Sequence, residues 1–107
     1  MERISRLKTF IDKYPADLFS RHALAMELIK LEQHAEAIVV MNDLLNVDEK
    51  HVGTYYHLGK LLEKMDDPEQ AVAVYEKGIA IARKINAGND LRELTGALAH
   101  LKDELDT

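Results

Sequence analysis

Apolar residues return every three or four positions through most of the chain, the spacing that places them on one face of an α-helix. The first run, Ile4, Leu7, Phe10 and Ile11, stops at Tyr14, because Pro15 disfavours helical backbone in the residue before it. Asp17 stands where it can cap a second run through Leu18, Leu24, Leu28 and Leu31. After a short break at Gln33 and His34 comes a third, with Ala37, Ile38, Met41, Leu44 and Leu45. The loop from Asn46 to Lys50 offers Asp48 as the cap of a fourth, which carries Tyr55, Leu58, Leu62 and Met65. Asp67-Pro68-Glu69-Gln70 is the sharpest local signal. It places a carboxylate acceptor at the N-cap, proline at the first helical position and glutamine where a capping box closes. The fifth run passes through Ala71, Val74, Tyr75, Ile79 and Ala82 to about Ile85, and Gly88 ends it. Asp90 with Glu93 reads as another capping box, opening a sixth run on Leu91, Leu94, Leu98, Leu101 and Leu105. The pattern predicts six helices, near 2–14, 18–31, 34–46, 52–65, 68–85 and 90–105, and no strand.

Six short helices with tight connections call for a comparison of the chain with itself. A shift of 34 residues lays Leu24 on Leu58, Leu28 on Leu62, Lys30 on Lys64, Ala37 on Ala71 and Val40 on Val74. Leu58-Gly59 and Ala71 are small-residue positions that let neighbouring helices approach closely. A single helix pair cannot bury its apolar face alone, so such units stack, and about three pairs is near the minimum for a stable array.

This helix–turn–helix period, with Tyr55, Leu58-Gly59, Leu62, Ala71, Tyr75 and Gly78 in Val52 to Ile85, resembles the tetratricopeptide repeat family. The unit from Leu18 to His51 keeps Leu24, Ala25, Leu28 and Ala37. It departs from the pattern at Arg21 and Met41, which replace the two aromatics, at Leu44 in the second small position, and at Glu49 where proline is usual. Residues 1–15 resemble the second helix of a preceding unit, with Leu7 and Phe10 on its packing positions and Pro15 closing it. The resemblance covers roughly residues 3–85, and 88–107 reads as a C-terminal capping helix. It implies an all-α fold, a right-handed α-solenoid of antiparallel helix pairs in one domain over 1–107, with repeats at 18–51 and 52–85.

Composition narrows the function classes. Hydrophobic residues make up 47% of the chain, which argues against disorder. Fourteen basic against nineteen acidic residues give a formal net charge of −5, without the basic excess a nucleic-acid binder shows. With no cysteine there is neither a disulfide nor a thiolate metal site, which suits a reducing compartment. No apolar run approaches the ~18 residues of a membrane span, and Met1-Glu2-Arg3-Ile4 lacks the apolar core of a secretory signal. The expected location is the cytoplasm. Charge is uneven: residues 1–14 hold four basic and two acidic side chains, residues 86–107 two basic and five acidic.

No constellation points to catalysis. Of the histidines, His22, His34, His51, His57 and His100, no two lie four apart on one helix, so neither a metal nor another cofactor is expected. Asp66-Asp67 and Asp48-Glu49 precede helices, where acids cap free N–H groups and favour the helix dipole. Ser5 and Ser20 sit in no glycine elbow, and the five glycines form no phosphate-cradling loop.

The resemblance implies instead a concave groove, lined by the first helix of each unit, that receives a peptide or helix. Carried over by position, its candidates are Phe19, His22, Met26 and Ile29, then Tyr56, Lys60 and Glu63. One subgroup of the family clamps the C-terminal carboxylate of heat-shock chaperones with Lys, Asn and Arg. Those positions here hold His22, Met26, His57 and Gly53, so that clamp is absent. Phe, Met, Ile and Tyr around one Lys suit an amphipathic helix or apolar peptide. A protein or peptide is therefore the expected partner, with no nucleic acid and no membrane. Two alternatives remain: a weak homodimer joined through the oppositely charged ends and the Leu91–Leu105 stripe, and an accessory fragment of a larger repeat protein.

Overall fold

The computed structural model describes residues 2–107. Among them are six helices and no strand: α1 (Glu2–Lys13), α2 (Leu18–Lys30), α3 (His34–Val47), α4 (Val52–Lys64), α5 (Pro68–Lys84) and α6 (Gly88–Leu105). Backbone contacts divide the chain into two compact units, one up to Glu49 and one from Lys50. In the first, α1 packs on α2 and α2 on α3. In the second, α4 packs on α5, and α6 on both.

The core of each unit follows the apolar spacing. Leu24, Ala25, Leu28, Ala37, Met41 and Leu44 are buried in the first; Tyr55, Leu58, Leu62, Ala71, Tyr75 and Ala82 in the second. Two glycines make the α4–α5 crossing possible. A Cβ on Gly59 would overlap the Tyr75 ring, with Cδ1 and Cζ at 2.6 Å. A Cβ on Gly78 would lie 2.6 Å from Tyr55 Cβ and 3.0 Å from Leu94 Cδ1. Each tyrosine therefore lies over the opposite helix's glycine. The first unit fills the equivalent positions with Ala25 and Met41, and with Arg21 and Leu44. Arg21 stands where Tyr55 stands in the second unit but does not enter the core. Its guanidinium Nε and Nη2 donate to the Pro15 carbonyl at 3.0 and 2.8 Å, tying α2 back to the turn after α1.

Asp17 caps α2 as expected, its Oδ2 accepting from the Ser20 N–H at 3.0 Å and the Ser20 hydroxyl at 2.6 Å. Asp67 caps α5, accepting from the Gln70 N–H at 3.3 Å, with Pro68 in the first turn. Three expectations are corrected. Asp48 is not the N-cap of α4: it ends α3 in extended backbone, and His51 holds the N-cap position. Asp90 does not open α6, which begins two residues earlier after Ala87, leaving Asp90 inside the first turn. Gly88 does not terminate α5, because Asn86 has already done so with φ 60°.

That left-handed residue belongs to a recurring turn. After α2, Glu32 adopts φ 59°, its N–H donating to Ile29 O at 3.0 Å while Gln33 N–H reaches Leu28 O at 2.8 Å. After α4, Asp66 (φ 60°) bonds Glu63 O at 3.0 Å, and Asp67 bonds Leu62 O at 2.9 Å. After α5, Asn86 bonds Arg83 O at 3.3 Å, and Ala87 bonds Ala82 O at 2.9 Å. These are Schellman closures, which satisfy carbonyls that a helix end would leave unpaired. In each, the residue that closes one helix, Gln33, Asp67 or Ala87, is the N-cap of the next.

Two stability effects are expected. Gly59→Ala should cost about 3 kcal/mol through overpacking. Adding Tyr75→Met, which recreates the Ala25–Met41 pair, should raise the melting temperature of that variant rather than lower it further. Glu32→Gly should stabilise the fold by about 0.5–1 kcal/mol, since glycine carries no Cβ penalty in left-handed backbone. Asn86→Gly should gain less, because asparagine tolerates that region better. Thermal melts of the variants check both.

Candidate partner-binding surface

The seven candidate residues lie on the first helices of the two hairpins. On α2, Phe19, His22, Met26 and Ile29 follow helical spacing along one face, away from the buried line of Leu24, Ala25 and Leu28. Phe19 is 77% exposed; His22, Met26 and Ile29 are half-buried. On α4, Tyr56 and Glu63 are half-buried and Lys60 is exposed, again clear of the buried Tyr55, Leu58 and Leu62. The shift of 34 residues lays His22 on Tyr56, Met26 on Lys60 and Ile29 on Glu63, so the two helices present equivalent faces of different chemistry. The α2 face is mostly apolar. The α4 face has an aromatic ring, a cation and an anion.

Glu63 has a second task that spacing does not reveal. Its carboxylate accepts a hydrogen bond from the Tyr75 hydroxyl of α5, and Lys60 Nζ lies 3.9 Å away. Burial first, and then the Glu63 carboxylate, push the Tyr75 hydroxyl far above the ordinary tyrosine range. A surface position on α4 is thereby held by the core of the same unit. Tyr56 stands edge-on to His57, ring centroids 5.7 Å apart.

In the first unit, the surroundings of Phe19 include side chains that were expected to pack. A depression of about 620 Å³ is lined by Arg3, Arg6, Leu7, Phe10, Asp17, Phe19 and Ser20. Phe10, placed by its spacing on a packing position, is 44% exposed. Periodicity places a residue on a face but does not show whether another helix covers that face. The Leu91–Leu105 stripe divides in the same way: Leu94 and Leu101 are buried, Leu91 and Leu98 half-buried, and Leu105 exposed. Among the described residues, no three His, Asp or Glu side chains converge as a metal site would require, and no helix is long and apolar enough to cross a membrane.

Comparison with known proteins agrees with the repeat. A model of the tetratricopeptide repeat matches residues 20–51 and again 52–85. A tetratricopeptide repeat domain protein from Salinibacter ruber, solved both by crystallography and in solution, shares 39% identity. Its crystal structure aligns over 81% of this chain and 97% of that one, with a TM-score of 0.76. The same fold is seen at 24% identity in a protein from Bordetella parapertussis, over 94% of this chain and 88% of that one, with a TM-score of 0.80. It is also seen at 19% identity in the TPR2B domain of yeast Sti1, solved as a complex with pHsp70, over 94% and 81%, with a TM-score of 0.84. No curated protein matches the chain.

The Tyr75–Glu63 contact gives a prediction with a definite sign. The unfolded chain releases the tyrosine proton near the ordinary value of 10.0, while the folded chain holds it. The contribution is therefore complete below about pH 10 and is lost as the pH rises beyond it. Tyr75→Phe should lower stability by about 1.5–3 kcal/mol at neutral pH, as expected for losing a hydrogen bond to a charged group. It should also flatten the alkaline fall in stability, which denaturant titrations at a series of pH values would measure.

Proposed function

The chain belongs to the tetratricopeptide repeat family, and on that premise we propose that it is a non-enzymatic protein-interaction module that holds a peptide or amphipathic helix. The family fold supports protein–protein interaction as the class of function. The observation that carries the finer reading is the pair of equivalent first-helix faces. Both lie off the core, and they leave Phe19, Met26, Ile29 and Tyr56 wholly or partly in contact with water. Aromatic and Met side chains grouped on an accessible face are enriched at binding surfaces.

The partner chemistry follows from the two faces. Phe19, Met26 and Ile29 suit apolar side chains at i, i+3 or i+4 spacing on a bound helix. On α4, Tyr56 offers an aromatic anchor, and Lys60 suits an acidic residue of a ligand held there. The chaperone-tail clamp stays unassigned, because His22, Met26, His57 and Gly53 do not supply its cationic and amide groups. The acidic net charge favours protein over nucleic acid as partner. The lack of cysteine suits the cytoplasm as the place of action.

The test is binding to a panel of labelled amphipathic helical peptides, comparing the native chain with Tyr56→Ala and Met26→Ala. Each substitution should weaken binding by about 1–2 kcal/mol, roughly 5- to 30-fold. Each should cost less stability than Leu58→Ala, which empties a core position. Unaltered binding together with a core-sized loss of stability would remove these residues from the site.

A further inference from the structure

Two helix faces stand open in this chain, and they are the two halves of a contact that the chain makes elsewhere. In the second unit, α4 receives α5 through Tyr55 and Gly59, which meet Gly78 and Tyr75. Helix α6 begins at Gly88 as α4 begins at Val52, and on that register Leu94 matches Leu58, both buried. The positions matching Tyr55, Gly59 and Leu62 are then Leu91, Thr95 and Leu98. Leu91 and Leu98 are half-buried and Thr95 is exposed. Thr95 and Leu98 form one wall of a depression of about 320 Å³, whose other wall is Glu76, Ile79, Ala80 and Arg83 of α5.

Helix α1 presents the complementary half. Leu7 and Phe10 stand one 34-residue period before Met41 and Leu44, and two periods before Tyr75 and Gly78. In α3 and α5 those positions are buried. In α1 the same face is open: Leu7 is half-buried, Phe10 is 44% exposed, and Tyr14, one turn further on, is 48% exposed. The first unit shows how a second helix seats against the two before it. There α3 packs on α2, and its Glu36 reaches Lys8 of α1 at 2.8 Å. The groove between α5 and α6 is the equivalent place, and no helix of the described residues lies in it.

We propose that α1 of one copy docks on α6 of a second copy, so that the two complete a helix pair in trans. The chain itself carries both halves of the contact, which is why the occupant is a second copy. Charge favours it as well, since residues 1–14 carry four basic and two acidic side chains, and residues 86–107 two basic and five acidic. The contact joins unlike faces, so each dimer still offers one α1 face and one α6 face. Association continues beyond the dimer unless a ring closes. It uses neither Tyr56 nor Met26, so it stands or falls separately from peptide binding.

Sedimentation of the 107-residue chain over a range of concentrations tests the proposal, with Phe10→Arg and Thr95→Arg, both at exposed positions, as blocking variants. The native chain should grow in mass with concentration, and each variant alone should remain monomeric. An equimolar mixture of the two variants should give a one-to-one heterodimer and nothing larger, because it contains a single intact α1–α6 pairing. A native chain that stays monomeric up to about 1 mM overturns the proposal, and this arm needs no variant to fold. That is also the outcome expected if a further helix of the same polypeptide takes these faces. Self-association of either variant alone, or a mixture that does not dimerise, overturns it equally.

Discussion

The second unit depends on the absence of two methyl groups. Gly59 and Gly78 let α4 and α5 come close enough for Tyr75 and Tyr55 to pack against the opposite backbone: a Cβ would run into the Tyr75 ring at Gly59, and into Tyr55 Cβ and Cγ at Gly78. Other features follow from that approach. Lying over Gly59, the Tyr75 ring carries its hydroxyl to Glu63, one turn further along the same side of α4. Leu94 comes to rest beside Gly78, so the glycine that admits Tyr55 also seats α6. Close packing makes these choices interdependent, because an interior at crystal-like density has no slack for a repositioned ring.

The first unit solves the same problem with different parts. Ala25 and Met41 replace the glycine and tyrosine, a small residue against a flexible one that can fill an irregular gap. At the other pair, Leu44 fills the core while Arg21 leaves it and holds the Pro15 carbonyl. What recurs between the units is the backbone path, including the left-handed residue after α2 and after α4, at Glu32 and Asp66. A non-glycine residue there carries strain, and the two hydrogen bonds of each closure offset it.

The exposed faces arise from the same construction. A helix pair consumes one face of each helix, and the remaining faces meet water or a partner. On α2 and α4 those faces carry Phe19, Met26, Ile29 and Tyr56, anchored from behind by buried leucines and, at Glu63, by a core tyrosine. A rigid support of this kind lowers the entropy lost when a ligand is held.

Much of this was legible in the residues themselves. Period, small residues and caps determine six helices, their order and the repeat, because helical amphipathicity and capping are local physics read over a few residues. The caps at Asp17 and Asp67 were readable for that reason, whereas Asp48 and Asp90 were misread, since a carboxylate near a helix start looks the same whether or not the backbone turns at it. The left-handed turns at Glu32 and Asp66 carry neither glycine nor asparagine, and only the backbone reveals them. The tertiary structure alone decided which apolar faces are covered. Leu94 and Leu101 are buried while Leu105 is not, and Phe10 stays open although its repeat equivalents Leu44 and Gly78 are enclosed. Spacing specifies the side of a helix, whereas burial depends on whether another helix reaches that side, and that is set by contacts distant along the chain.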